Sequence, residues 1–333
     1  MRAASEIRIV AKGIRSLAWD QDSLVDWAGG GMRYKLTGEV VPSRVRYGYP
    51  FDAATSLSGS RYSAIYSRCG TKGLILRDGQ VHREINRSYY HADVYEYPIA
   101  LFRMPSGREV LAHCPEDYCR LEIEDLATGE MLTRSAARKP SDVFHSRLHV
   151  SPDGRHLVSA GWLWHPIDSI NVYDIGVALE DPAHLDGAGI GLEAYADESC
   201  ATFYPDGRLA VALKGDIDSE DGAIMRGELR TYLAGDRDVF AACADVGRLG
   251  RIAAMGNDHL LALHGHPRLL DVRSGLEVLS WPLLKSGTQT SSILMSEVEL
   301  PVIAVDSVGQ RFAIADAEGV TVVQLQGEAV VPW

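Results

Sequence analysis

His149-Val150-Ser151-Pro152-Asp153-Gly154-Arg155-His156-Leu157-Val158-Ser159-Ala160 reads as a short strand, a tight reversal and a more apolar strand. Proline presets φ for the first turn position, and glycine takes the positive φ that a Cβ would resist. The same grammar recurs along the chain. Turn signals stand at Asp20-Gln21-Asp22, Ser58-Gly59, Pro105-Ser106-Gly107, Pro205-Asp206-Gly207, Gly256-Asn257 and Val308-Gly309. From Gly59 through Gly107 and Gly154 to Gly207 the steps are 48, 47 and 53 residues. A period of this size is a sign of repeated architecture.

The chain beyond each turn is equally regular. After the apolar strand comes a variable loop, then a third strand ending near an acidic residue. Examples are Ile170-Asn171-Val172-Tyr173-Asp174, Leu121-Glu122-Ile123-Glu124-Asp125 and Arg268-Leu269-Leu270-Asp271. Two of these run into the reversals Ala127-Thr128-Gly129-Glu130 and Arg273-Ser274-Gly275-Leu276, and then into a fourth strand such as Glu130-Met131-Leu132-Thr133 or Glu277-Val278-Leu279-Ser280. Four short antiparallel strands in about fifty residues make one propeller blade.

On the Ser-Pro-Asp-Gly turn at 151–154, the Tyr173-Asp174 pair and the Asp125…Thr128-Gly129 element, the chain resembles a divergent WD40-like β-propeller over its whole length. It lacks the strict Gly-His…Trp-Asp repeat: its one Trp-Asp pair, Trp19-Asp20, falls in a turn between first and second strands. The expected fold is all-β, a single domain (1–333) of seven four-stranded blades near 14–46, 49–86, 96–136, 145–187, 197–243, 250–283 and 299–326. The alternating segment Glu6–Ala11 is left over and is expected to close the ring as the outer strand of the last blade. The competing closure uses Ala329-Val330-Val331.

Composition narrows the function classes. The chain has 333 residues, 46% of them apolar and 23% charged, with a net charge of −12. So acidic a chain repels phosphate backbones, so no nucleic-acid partner is expected. No apolar run approaches the ~20 residues that span a bilayer, and the stretch MRAASEIRIVAKGIRS has scattered charges and no apolar h-region, so no secretion signal is expected. Five cysteines at irregular spacings fit free thiols in a reducing cytoplasm rather than a disulfide framework.

In a propeller the uniform Gly turns lie on one rim, and the longer, irregular loops lie on the other. Variable loops on a rigid scaffold are where binding residues concentrate. Three connections are dense in rings: Tyr89, Tyr90, His91, Tyr95 and Tyr97 before blade three, Trp162, Trp164 and His165 in blade four, and Tyr47, Tyr49 and Phe51 before blade two. Tyr118 adds a fourth position on the same rim. Tyr and Trp offer large rigid area with a polar handle, the composition of interface anchors. Tyr89, Tyr90, Tyr95, Tyr97, Trp162 and Trp164 are the expected anchors, with His91, Tyr118 and His165 giving polar register. The competing reading has these rings packing beneath the loops.

A second candidate lies on the innermost strand of blade four, where period two puts His145, Arg147 and His149 on one face. Facing the channel, they would make a cationic strip for an anionic ligand. The Asp216–Gly222 loop has calcium-like chemistry but lacks the EF-hand spacing, and His264-Gly265-His266 has too few partners for zinc. Asp52, Arg103, Arg251 and Asp306 stand near innermost strands and are read as structural.

No nucleophile elbow, P-loop, HExxH or dinucleotide fingerprint is present, so neither an enzyme nor a cofactor is expected. The expectation is a bacterial-type, cytoplasmic protein-binding propeller with a basic partner, in its most concrete form an immunity-type protein that neutralises a toxin. The alternative is an enzyme or small-molecule binder that uses the central channel. Nothing in the sequence speaks to oligomeric state.

Overall fold

The computed structural model describes residues 2–164, 167–192, 194–215, 226–294 and 300–326. The turn at 151–154 folds as its residues dictate. Gly154 sits at φ 69° and its N–H donates to the Ser151 carbonyl at 2.9 Å. Ser151 Oγ accepts from the N–H groups of Arg155 and His156. A Cβ at Gly154 would also lie 2.0 Å from the Arg103 carbonyl oxygen of the preceding blade, so glycine is required for close approach as well as for φ. The acidic residue ending a third strand has a comparable job. Asp125 Oδ1 accepts from Ala127 N, Thr128 N and Thr128 Oγ1, and Asp271 Oδ1 accepts from Arg273 N, Ser274 N and Ser274 Oγ. In blade four the same position, Asp174, instead caps the short helix Ile175–Glu180.

Seven antiparallel sheets form a seven-bladed β-propeller. The innermost strands are Ala18–Asp20, Ala53–Ser56, Ile99–Arg103, Leu148–Val150, Glu198–Phe203, Ile252–Met255 and Ile303–Asp306. Side chains alternate across each sheet, so a strand feeds two junctions at once. Leu157 packs toward blade three, whereas its neighbour Val158 packs toward blade five. Each junction between neighbouring blades holds its own apolar cluster, including Leu111 with Ile75, Leu260 with Ala210, and Val322 with Leu24. The core is therefore seven layers arranged radially.

Two blades depart from the four-strand rule. In blade three the expected fourth strand Glu130–Thr133 makes one bridge, Glu124 to Met131. Thr133 Oγ1 there accepts from Ile123 N and donates to Glu122, so side-chain hydrogen bonds replace part of the ladder. Blade four adds Val143–Phe144 on its inner side and takes its outer strand from Ala194–Ala196, beyond residue 187. The helix Ile175–Glu180 and the 3-10 turn Pro182–Asp186 fill the intervening connection.

The N-terminal strand closes the ring. Arg2–Val10 runs antiparallel to Gly319–Gln326, with Glu6 opposite Val323 and Ile9 opposite Val320. A Cβ on Gly319 would lie 2.2 Å from the Ile9 carbonyl oxygen, so the last strand begins with a residue that permits the pairing. Arg8 grips Asp316 with both guanidinium nitrogens at 2.8 and 2.5 Å, which holds that carboxyl down at about 2. Ala329-Val330-Val331 lies outside the described residues. No helix among the described residues is long and apolar enough to cross a membrane.

Ile9 is 2% exposed and packs in the cluster joining blades seven and one. Ile9→Ala is expected to cost about 2–5 kcal/mol in urea unfolding, as for other buried aliphatic truncations. A loose N-terminal strand would instead give a change within about 0.5 kcal/mol.

Candidate functional site

The connection into blade three is pinned from below by Arg87. Its guanidinium donates to the carbonyls of Gly70 (2.7 Å), Ala92 (2.6 Å) and Tyr95 (2.9 Å). It also sits over the Tyr95 and Tyr97 rings at 4.4 and 5.1 Å. Burial lowers its pKa, and the carbonyls and ring faces supply the compensation that a buried cation needs. Over this anchor the chain reverses through His91, a non-glycine residue at φ 51°.

The anchor separates the tyrosines into two groups. Tyr95 and Tyr97 are buried, at 0% and 2% exposure, whereas Tyr89 and Tyr90 are exposed at 82% and 45%. Tyr97 leaves the group altogether and packs against Tyr66 between blades two and three. Trp162 is also buried, while Trp164, just past the strand His156–Leu163, is 45% exposed. Tyr95, Tyr97 and Trp162 are thus packing residues and not surface anchors, because strand alternation and Arg87 turn them inward. His165 lies outside the described residues.

The remaining rings form one assembly. Phe144 stacks on Trp162 (centroids 3.9 Å apart, 10° between planes) and on Tyr118 (4.2 Å, 24°). Tyr90 lies parallel to Phe144 at 5.9 Å and touches Tyr118 at 4.9 Å. Trp164 contacts Trp162, His91 and Tyr90 edge-on. Tyr95, Phe144 and Trp162 make the floor, and Tyr90, His91, Tyr118 and Trp164 stand above it. Tyr118 donates to Asp142 at 2.6 Å; burial and that carboxylate both raise its phenol pKa. Phe144, the centre of the assembly, went unrecognised in the sequence; the available signal was the pair Val143-Phe144 facing two tryptophans across a hairpin.

A strap from the connection between blades six and seven crosses the channel to reach this rim. Tyr95 bridges Ile293, and Leu294 N donates to Val94 O at 2.7 Å. Buried Asp168 clamps the strap, accepting from Ser291 Oγ, Ser292 N and Ser292 Oγ while also holding Ser199 N. No local pattern announces it, because its partners lie more than 120 residues away.

The expected His145/Arg147/His149 face is broken. Phe144 pairs with Trp162 and Leu148 with Ser159, so three residues oppose two and a bulge results. Arg147 takes φ 44° at the bulge, and a Cβ on Gly161 would lie 2.1 Å from the Phe144 carbonyl oxygen. His145 consequently turns inward, 2% exposed, with Nδ1 3.0 Å from Ser159 Oγ. His149 faces the channel beside Phe203, and the enclosing wall pushes its imidazole down to about 4.

Arg147 instead turns to the strap. It donates to the carbonyls of Thr290 and Ser291 and stands 3.6 Å from Glu96, whose other oxygen is 3.5 Å from Arg251. Burial pushes the Glu96 carboxyl up, and Arg251, Arg147 and Arg68 together outweigh it, so its pKa falls below the usual range. Among the described residues no three His, Cys, Asp or Glu side chains gather to hold a metal ion, and all five cysteines are free thiols. The Asp216–Gly222 loop lies outside the described residues.

No protein-family model matches the chain, and no curated protein matches it. The fold therefore defines the class: a seven-bladed β-propeller with an aromatic rim and an arginine-lined channel.

Burial pushes His145 down to about 4 from an ordinary 6.5, so between these values the unfolded chain binds the extra proton and the folded chain does not. Stability should fall as pH drops from 6.5 through about 4, and the His145 ring should titrate by NMR near 4. Titration at the ordinary histidine value would contradict this placement.

Proposed function

We propose that the protein is a non-catalytic binding module that seizes a basic partner protein with the rim built from Tyr89, Tyr90, His91, Tyr118 and Trp164. The β-propeller is commonly a protein-interaction scaffold. The observation that carries the reading is the half-exposed pair Tyr90 and Trp164, held on a stacked floor of Phe144 and Trp162. Rings fixed from below lose little entropy on binding, which is what makes aromatic residues effective anchors.

Charge supplies the partner's chemistry. Asp93, Asp117 and Asp142 are sequence neighbours of the rim rings; Asp93 and Asp117 are exposed, and Asp142 accepts from Tyr118. With a net charge of −12 they favour a basic surface and speed its encounter. The five free thiols suit a reducing cytoplasm. In its most specific form the reading is a WD40-like, immunity-type protein of a bacterium that covers the active site of a toxin.

The test is affinity capture with the purified chain, then titration of the captured protein against wild type, the single variants Tyr90→Ser and Trp164→Ser, and the double variant. The reading expects one dominant basic partner, with each single substitution weakening binding about tenfold or more and near-UV circular dichroism still reporting a folded chain. Trp162→Ala is the wrong probe, because it removes floor. Equal affinity for the double variant, or a dominant acidic partner, contradicts the reading.

A further inference from the structure

The channel holds a charge arrangement that partner binding at the rim does not use. A cavity of about 270 Å³ is lined by Arg68, Arg147 and Arg251, and by no carboxylate among its described lining residues. Glu96 lies in an adjoining cavity of about 100 Å³ that also touches Arg68 and Arg251, and Asp306, in a second adjoining cavity with Arg251, is paired with Arg311. Three guanidinium groups thus share one cavity wall inside a chain whose net charge is −12. Such concentration in a cavity opposes the trend of the whole molecule, and burying like charges together costs free energy unless an anion offsets it.

The arginines are not equally engaged. Arg147 is spent on the strap carbonyls and Glu96, so it acts as a fixed charge. Arg251 makes one long contact, 3.5 Å to Glu96, and its side chain is 42% exposed. Arg68 has a buried guanidinium nitrogen with no partner among the described residues. Gln289, only 6% exposed, lines the same cavity with its buried Oε1 equally unmatched. Two guanidinium groups therefore face one space, with Leu263, Ile303 and Val305 providing apolar wall. Guanidinium groups match oxyanions through parallel hydrogen bonds, which ammonium groups do not.

We propose that this cavity binds a small organic molecule carrying an oxyanion, with Arg68 and Arg251 as its ligands. Glu96 and Arg147 act as positioning residues that hold Arg251 at the cavity wall. The apolar wall takes the ligand's carbon body. A phosphate monoester and a dicarboxylate share the required chemistry, and affinity separates them.

Isothermal titration calorimetry with glycerol 3-phosphate, succinate, inorganic phosphate and uncharged glycerol tests this. Wild type should bind one of the two organic dianions at one site per chain, more tightly than inorganic phosphate and with no response to glycerol. The tighter of the two names the source of the oxyanion. Arg251→Gln should weaken binding about tenfold or more, the loss expected for a hydrogen bond to a charged group, and Arg68→Gln/Arg251→Gln should abolish it. Near-UV circular dichroism checks that Arg251→Gln is folded, so this single variant stands even where the double variant fails to fold. Arg155→Gln, an exposed arginine on the Gly-turn rim, should leave binding unchanged. No binding of either dianion by wild type, or undiminished binding by Arg251→Gln, overturns the proposal. Neither outcome bears on the rim, because no rim ring lines this cavity.

Discussion

Pairing of Arg2–Val10 with Gly319–Gln326 is the contact on which the ring depends. A propeller is a stack of wedges bent into a circle, and each wedge hides its two faces against its neighbours. Opening one junction would expose two apolar faces at once, here the layer of Ile9, Leu24, Tyr34, Val320 and Val322. It would also leave the last blade with an unpaired strand edge, which invites aggregation. The closing strand joins chain segments more than 300 residues apart, and the entropy of that closure grows only slowly with length. Backbone pairing, buried Ile9 and the Arg8–Asp316 grip oppose it together.

Closure gives the rim its composition. Tyr90, Tyr118 and Trp164 come from three separate stretches of two adjacent blades, and only the circular arrangement stacks them around Phe144. It also gives the channel its charge. Arg68, Arg147 and Arg251 belong to blades two, four and six, and in an extended chain they would have no relation to one another. The strap held by Asp168 then ties the channel mouth to the aromatic floor through Ile293 and Leu294.

The fold was legible because its signals are local and repeated. Ser151-Pro152-Asp153-Gly154 states its own turn, Asp125 and Asp271 state theirs, and alternation assigns each strand two faces. The site was legible only in outline. Trp162 and Trp164 share parity, yet one is floor and the other surface, because the strand ends between them at Leu163. His145, Arg147 and His149 were expected on one face, and the Arg147 bulge removes His145 from it. An arginine with positive φ has no sequence signature, unlike a glycine in the same conformation. Arg251 read as structural because the partners that give it meaning, Glu96 and Arg68, lie more than 150 residues away.

A crystal structure of the full chain tests the central claim most directly. The account predicts seven sheets around one channel, Glu6 opposite Val323 on the closing strand, and the Tyr90 ring against Trp164. A ring of six or eight sheets, or an N-terminal segment detached from the last blade with these two rings on opposite rims, would contradict it.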